Sequence, residues 1–153
     1  MELVLWRHGD AELGVVDLKR GLTDKGRRQA ERVAKWLRPH LDGQWEVLVS
    51  PASRARQTAD ALERRYDVRL TLGPAETENA LLREAGWPGN ERNVIVVGHQ
   101  PTLGRVAAKL LTGHAGDTAM KKGAIWWFSS RIDEDGAAGD TMLRAVITPD
   151  LAD

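Results

Sequence analysis

Apolar residues gather along this chain in short unbroken runs, each ending abruptly in polar residues. Residues 2–6 (ELVLW) stop at Arg7-His8-Gly9, residues 47–50 (VLVS) at Pro51, and residues 94–97 (VIVV) at Gly98-His99. Runs with no polar face predict strands buried on both sides, as in a sheet covered by helices. Between these runs the period changes. Ala30, Val33, Ala34 and Leu37 follow the i, i+3, i+4, i+7 rule, with Thr23 placed as a helix cap and Pro39 as a stop. Ser50 suits an N-cap and Pro51 the first helical position of a second helix, whose inward stripe is Ala55, Ala59 and Leu62. Pro101 opens a third, with Leu103, Val106, Ala107, Leu110 and Leu111 on one side.

Residues 68–72 (VRLTL) alternate apolar with polar and predict an edge strand, and residues 73–90 read as a loop carrying a short helix. Residues 124–130 (AIWWFSS) and 142–148 (MLRAVIT) flank an Asp/Gly-rich stretch and predict a closing pair of antiparallel strands. Strands alternating with helices predict an α/β fold: a three-layer sandwich with a mostly parallel central sheet flanked by helices and a C-terminal strand pair. Ligands of such sheets sit beyond the carboxyl ends of the strands. Three strands end there in related chemistry: Arg7 and His8, Ser50 with Arg54 one turn into its helix, and His99.

Taken singly, each residue has a bland reading. Arg7 suits a strand-end ion pair, His8 a hydrogen-bonded structural histidine, Arg54 the solvated face of "SRARQ", and His99 a helix start. All four at one sheet edge point instead to a site. Two guanidinium forks match phosphoryl oxygens, and helix N-termini after Ser50 and Gln100 add backbone N–H groups. No GxxxxGK[ST] loop occurs. Neighbouring cations disfavour imidazolium, leaving His8 neutral with a lone pair for attack.

Composition narrows the partners. The 153 residues fit one domain, residues 1–153, able to bury a core unaided. Lysine plus arginine and aspartate plus glutamate each total 22, so no long-range field recruits nucleic acid or an anionic membrane. The absence of cysteine removes disulfides and thiolate chemistry and fits a reducing compartment. The first apolar run is too short for a signal segment, and no long apolar stretch follows. The expectation is a cytoplasmic monomer.

"RHG" (7–9), "LTDKG" (22–26), "SPASRARQT" (50–58) and "VGHQP" (97–101), in this order, resemble the motifs of the histidine phosphatase superfamily. The short length and the opening "RHGDAE" resemble its SixA-like branch of small protein-phosphohistidine phosphatases. The resemblance implies that His8 is a nucleophile that becomes transiently phosphorylated, and that Arg7, Arg54 and His99 bind the phosphoryl group and stabilise its transition-state charge. It implies a tight turn at Gly9 beside the phosphate. Thr23 and Gly26 belong to the motif but read equally as the cap and close-packed start of a helix. No metal or cofactor is expected, because arginines balance the charge.

Larger members of the superfamily carry a general-acid glutamate after the third strand. Here only Glu76, Glu78 and Glu84 are on offer, with Asp10 as a further candidate, and none matches cleanly. A missing general acid fits a nitrogen-linked phosphate and disfavours phosphomonoesters, because an alkoxide leaving group needs a proton more than an imidazole does. The expected substrate is a phosphorylated protein, such as a histidine phosphotransfer domain, with a small phosphate ester as the alternative. Two rival readings stand beside it: a metal-dependent phosphohydrolase using His8, Asp10 and His99, and a noncatalytic phosphate-binding module. Of the six tryptophans, Trp87 in its Pro-Gly loop is the candidate for the pocket mouth.

Overall fold

The computed structural model describes residues 1–89 and 91–153. The described residues form six strands: β1 (Glu2–Arg7), β2 (Trp45–Val49), β3 (Asp67–Val68), β4 (Asn93–Gly98), β5 (Ile125–Ile132) and β6 (Ala138–Ile147). They make one sheet in the order β3-β2-β4-β1-β5-β6. The pairs β3/β2, β2/β4 and β4/β1 are parallel, and β1/β5 and β5/β6 antiparallel. Four helices cover it: α1 (Asp24–Leu37), α2 (Ser53–Asp60), α3 (Glu78–Ala85) and α4 (Thr102–Thr112).

Alternation along β1 explains the layers. Val4 and Trp6 pack with Val33, Ala34 and Leu37 of α1 and Ala55 and Ala59 of α2, whereas Leu3 and Leu5 pack with Leu81 and Ala85 of α3 and Leu103, Val106 and Ala107 of α4. Successive side chains of a strand point to opposite faces, so an unbroken apolar run serves both cores. Each fully buried Leu or Val contributes on the order of 1.5–3 kcal/mol, and these central strands anchor whatever follows their ends.

Several local expectations change. Of the segment expected as a strand over 68–72 only Val68 is strand, the second residue of the short β3, and the chain then turns into a 3-10 helix, Leu70–Leu72. The turn buries Leu72 in the α3/α4 core and leaves Leu70 exposed, so packing of one leucine overrides the alternation. Ser50 is not the cap of α2. That position belongs to Ala52, and Pro51 lies outside the helix. Pro101 is likewise the residue before α4 and not its first helical one. The closing strands run further than expected, with Ile132 paired to Ala138 across a turn containing Gly136 at φ 82°. A two-stranded ribbon needs only backbone bonds there, which polar residues supply as well as apolar ones. Thr23 caps α1 as expected, accepting from the Gly26 N–H at 3.0 Å.

Candidate active site

Register builds the site before any side chain is considered. Arg7 pairs with Gly98 across β1 and β4, and Val49 pairs with Val97 across β2 and β4. Ser50, His99 and His8 therefore follow one another along the carboxyl edge of the adjacent parallel strands β2, β4 and β1. Backbone bonds continue past the ladder: His8 N–H donates to Gly98 O at 3.2 Å and Ser50 N–H to Val97 O at 3.0 Å. The rings of His8 and His99 lie with centroids 5.1 Å apart.

His8 Nδ1 lies 2.7 Å from the carbonyl oxygen of Gly9. A carbonyl only accepts, so the proton sits on Nδ1 and Nε2 keeps the lone pair. Burial lowers the pKa of His8 to about 4, with the charges of Arg54, Arg7 and Arg20 adding to the effect and the Gly9 bond opposing it. Desolvation leads here, and the neighbouring cations that the sequence points to come second. For His99 the pKa falls to about 3, first through burial and then through His8 and Arg54. Both imidazoles are neutral at pH 7.

Arg7 donates from Nη1 to Met120 O at 2.6 Å, while its Nε is buried without a hydrogen-bond partner among the described residues. A buried guanidinium N–H left unpaired is costly, so this nitrogen is an unsatisfied donor inside the fold. Arg54 is 5% exposed and not on a solvated face. It donates from Nη1 to the backbone oxygen of Asp17 at 2.8 Å and from Nη2 to the Asp17 carboxylate at 3.2 Å. Asp17 opens a 3-10 turn, Asp17–Lys19, in a strap whose ends are tied by an Ala11–Leu22 bridge. Hydrogen bonds from Arg54 and Arg20 hold its carboxyl below the usual carboxylate range.

Sequence reasoning missed Asp17, because the strap has no periodicity to place it. It also missed the partner of Ser50, whose Oγ lies 2.7 Å from His99 Nε2 and accepts from the Ala52 N–H at 3.2 Å. Three helix side chains hold the neighbouring backbone. Thr58 accepts from the Gly9 N–H and donates to Arg54 O, Gln29 accepts from the Asp10 N–H, and Gln57 accepts from the Leu22 N–H. Thr58 stands one turn after Arg54, so a polar residue recurring on that helix face is the signal for it.

Gly9 has a different reason from the tight turn expected of it. A Cβ there would meet Gly26 O at 2.6 Å, and a Cβ on Gly26 would meet Asp10 O at 2.0 Å. The two glycines let the first turn of α1 press against the backbone after His8.

The four carboxylates weighed as acids are placed as follows. Asp10 pairs with Lys122 at 2.8 Å and accepts from Thr23 at 2.9 Å, contacts that lower its pKa. Glu78 pairs with Arg105 at 3.2 Å and is also held low. Glu84 is bound to Arg69 at 2.7 Å. Glu76 is exposed, and its backbone oxygen accepts from Thr102 at the start of α4. Among the described residues no three His, Asp or Glu side chains group so as to hold an ion, and Asp10 is turned to Lys122. Trp87 packs against the α3/α4 core, and the next residue, Pro88, accepts from Ser130 beside Met1, at the opposite end of β1 from the site.

The profile of the histidine phosphatase superfamily, branch 1, matches residues 3–84. The chain belongs to this superfamily. Among its relatives in the superfamily is the phosphohistidine phosphatase SixA of Escherichia coli K12, 31% identical over 122 residues that cover 74% of this chain and 76% of that one. A SixA homologue of Haemophilus influenzae is 28% identical over 126 residues, covering 72% and 77%. A solved structure of the protein histidine phosphatase SixA complexed with tungstate matches with a TM-score of 0.75 at 26% identity, over 97% of each chain. The superfamily fold thus extends beyond the profile match to the C-terminal strands. No helix among the described residues is long and apolar enough to cross a membrane.

Proposed function

We propose that this chain is a phosphohistidine phosphatase that works through a phosphorylated His8, with phosphohistidine in proteins as its substrate class. The observation that carries the reading is the state of His8: neutral, buried, and with its proton committed to Gly9 O so that Nε2 is free to attack. The Nε2 lone pair forms a bond to phosphorus as the bond to the substrate nitrogen breaks, and that nitrogen keeps the electron pair. The His8 ring becomes cationic when Nε2 carries phosphate, and the Gly9 carbonyl facing Nδ1 offsets that charge. Water then attacks phosphorus and the bond to Nε2 breaks, returning neutral His8 and inorganic phosphate.

Arg7, Arg54 and His99 hold the phosphoryl oxygens. The planar guanidinium donors of Arg7 and Arg54 are suited to that role. His99, engaged at Nε2 by Ser50, has Nδ1 left for the ligand. The leaving group argues for nitrogen. Asp10, Asp17 and Glu78 are all held ionised, which makes them poor proton donors at neutral pH. An imidazole leaves with less help than an alkoxide. The kinship with SixA supports the same substrate class.

The test compares purified protein on a histidine-phosphorylated peptide and on an alkyl phosphate. The reading expects kcat/KM to favour the peptide by roughly a hundredfold or more. Equal rates contradict it and favour a general phosphomonoesterase.

A further inference from the structure

Lys25, Arg28 and Arg32 lie at i, i+3 and i+7 on α1 and form one exposed basic stripe. With Lys121 and Lys122 across from them they line an open depression of about 560 Å³, in which Asp150 is the lone acidic lining residue. Five positive side chains in one place matter in a chain whose formal charge is zero. Lys122 is paired with Asp10, and Arg32 with Asp153. Lys25, Arg28 and Lys121 have no ion pair among the described residues.

The ridge adjoins the phosphoryl site through fixed backbone. Met120 O accepts from Arg7 and the Gly123 N–H donates to His8 O at 3.0 Å, so Lys121 and Lys122 are spliced between two contacts to the active residues. Gln100 pins the same segment by donating to Thr118 O at 2.7 Å. Along α1 the stripe spans about 10 Å. That length and its exposure do not suit a single small anion, which calls for buried convergent donors. They suit the acidic face of a folded protein, met by many solvent-exposed charges that steer association.

We propose that this ridge is the docking surface for an acidic face of the phosphorylated protein, seating it so that its phosphohistidine reaches His8; this rests on the function proposed above. The test uses a purified acidic histidine phosphotransfer domain, phosphorylated with phosphoramidate, and phosphoramidate itself as the small substrate. The variant is Arg28→Glu with Lys121→Glu, and the neutral pair Arg28→Gln with Lys121→Gln is the milder check on folding.

The charge-reversed protein is expected to lose about tenfold or more in kcat/KM on the phosphodomain, through KM, with phosphoramidate turnover within about twofold of wild type. The neutral pair should fall between, and wild-type kcat/KM on the phosphodomain should drop with added salt. Equal losses on both substrates, or no loss on either, overturn the proposal.

Binding is read separately with His8→Ala, which holds the phosphodomain without turning it over. Weaker binding after charge reversal supports the ridge even if wild type hydrolyses no phosphohistidine, an outcome that sinks the functional reading alone. Unchanged binding overturns the ridge, as does tighter binding of a short RNA than of the phosphodomain.

Discussion

Ser50 and His99, 49 residues apart in sequence, meet with Oγ and Nε2 at 2.7 Å in a buried contact. Ser50 Oγ already accepts from the Ala52 N–H, so its hydroxyl hydrogen is available to His99 Nε2. Accepting there places the proton of neutral His99 on Nδ1, the nitrogen that the proposed function assigns to a phosphoryl oxygen. Ser50→Ala removes that control of the tautomer. We predict a fall of about tenfold or more in kcat with near-native thermal stability, checked by steady-state kinetics beside a melting curve. Unchanged kcat would show that His99 needs no partner.

Asp17 holds Arg54 by a backbone oxygen and a carboxylate at once. The backbone contact survives Asp17→Asn, but the negative charge beside that guanidinium is gone, a charge that under the proposed function competes with phosphate. The Asp17 side chain is half exposed, so solvent screens much of the effect. We predict that inorganic phosphate or vanadate inhibits Asp17→Asn at about threefold to tenfold lower concentration than wild type. Weaker inhibition would mean that the carboxylate chiefly positions Arg54.

The two histidines make stability depend on pH in one direction. Their native pKa values, about 4 and about 3, lie below the ordinary value of 6.5. Between these values the unfolded chain binds protons that the native state refuses, so stability is full above about pH 6.5 and is lost as pH falls toward 4 and 3. Histidine NMR should show both site rings neutral at pH 5.5. Arg54→Met should raise the His8 pKa only in part, since burial is its leading cause. A His8 titration near 6.5 in the wild type would remove the electrostatic argument.

Gly26→Ala should destabilise the protein although alanine favours a helix. Its Cβ would stand 2.0 Å from Asp10 O, against backbone that cannot rotate away. The helix gain is about 1 kcal/mol, and overpacking costs about 1–3 kcal/mol or more, so a net loss is expected in denaturant titration. Gly116→Ala, with nothing among the described residues within 4 Å of its Cβ beyond its chain neighbours, is the control and should change little.

What the chain discloses about itself follows from the range of the forces involved. Buried parallel strands write a local signature, and β1, β2 and β4 stand where unbroken apolar runs predict them. Helix α1 is legible because Thr23 and its apolar stripe are neighbours in sequence. The meeting of Arg7, His8, Arg54 and His99 is legible only through the rule that parallel strands present their carboxyl ends together. Ser50 shows where this stops. Its place before Pro51 reads as a cap, yet the register across β4 sets it against His99. Asp17 and the Gly9–Gly26 approach depend on how a strap and a helix start settle in space, and no spacing encodes that. At Leu72, one buried side chain outweighs a strand-like alternation.

The central claim is that Nε2 of His8 receives the phosphoryl group within this cradle. Rapid quenching of the protein with phosphoramidate, followed by mass-spectrometric mapping and phosphorus NMR, tests it most directly. The account predicts acid-labile, alkali-stable phosphate on Nε2 of His8, formed and discharged at the rate of turnover and absent from His8→Ala. Steady turnover with no label on His8, or undiminished activity in His8→Ala, would contradict it.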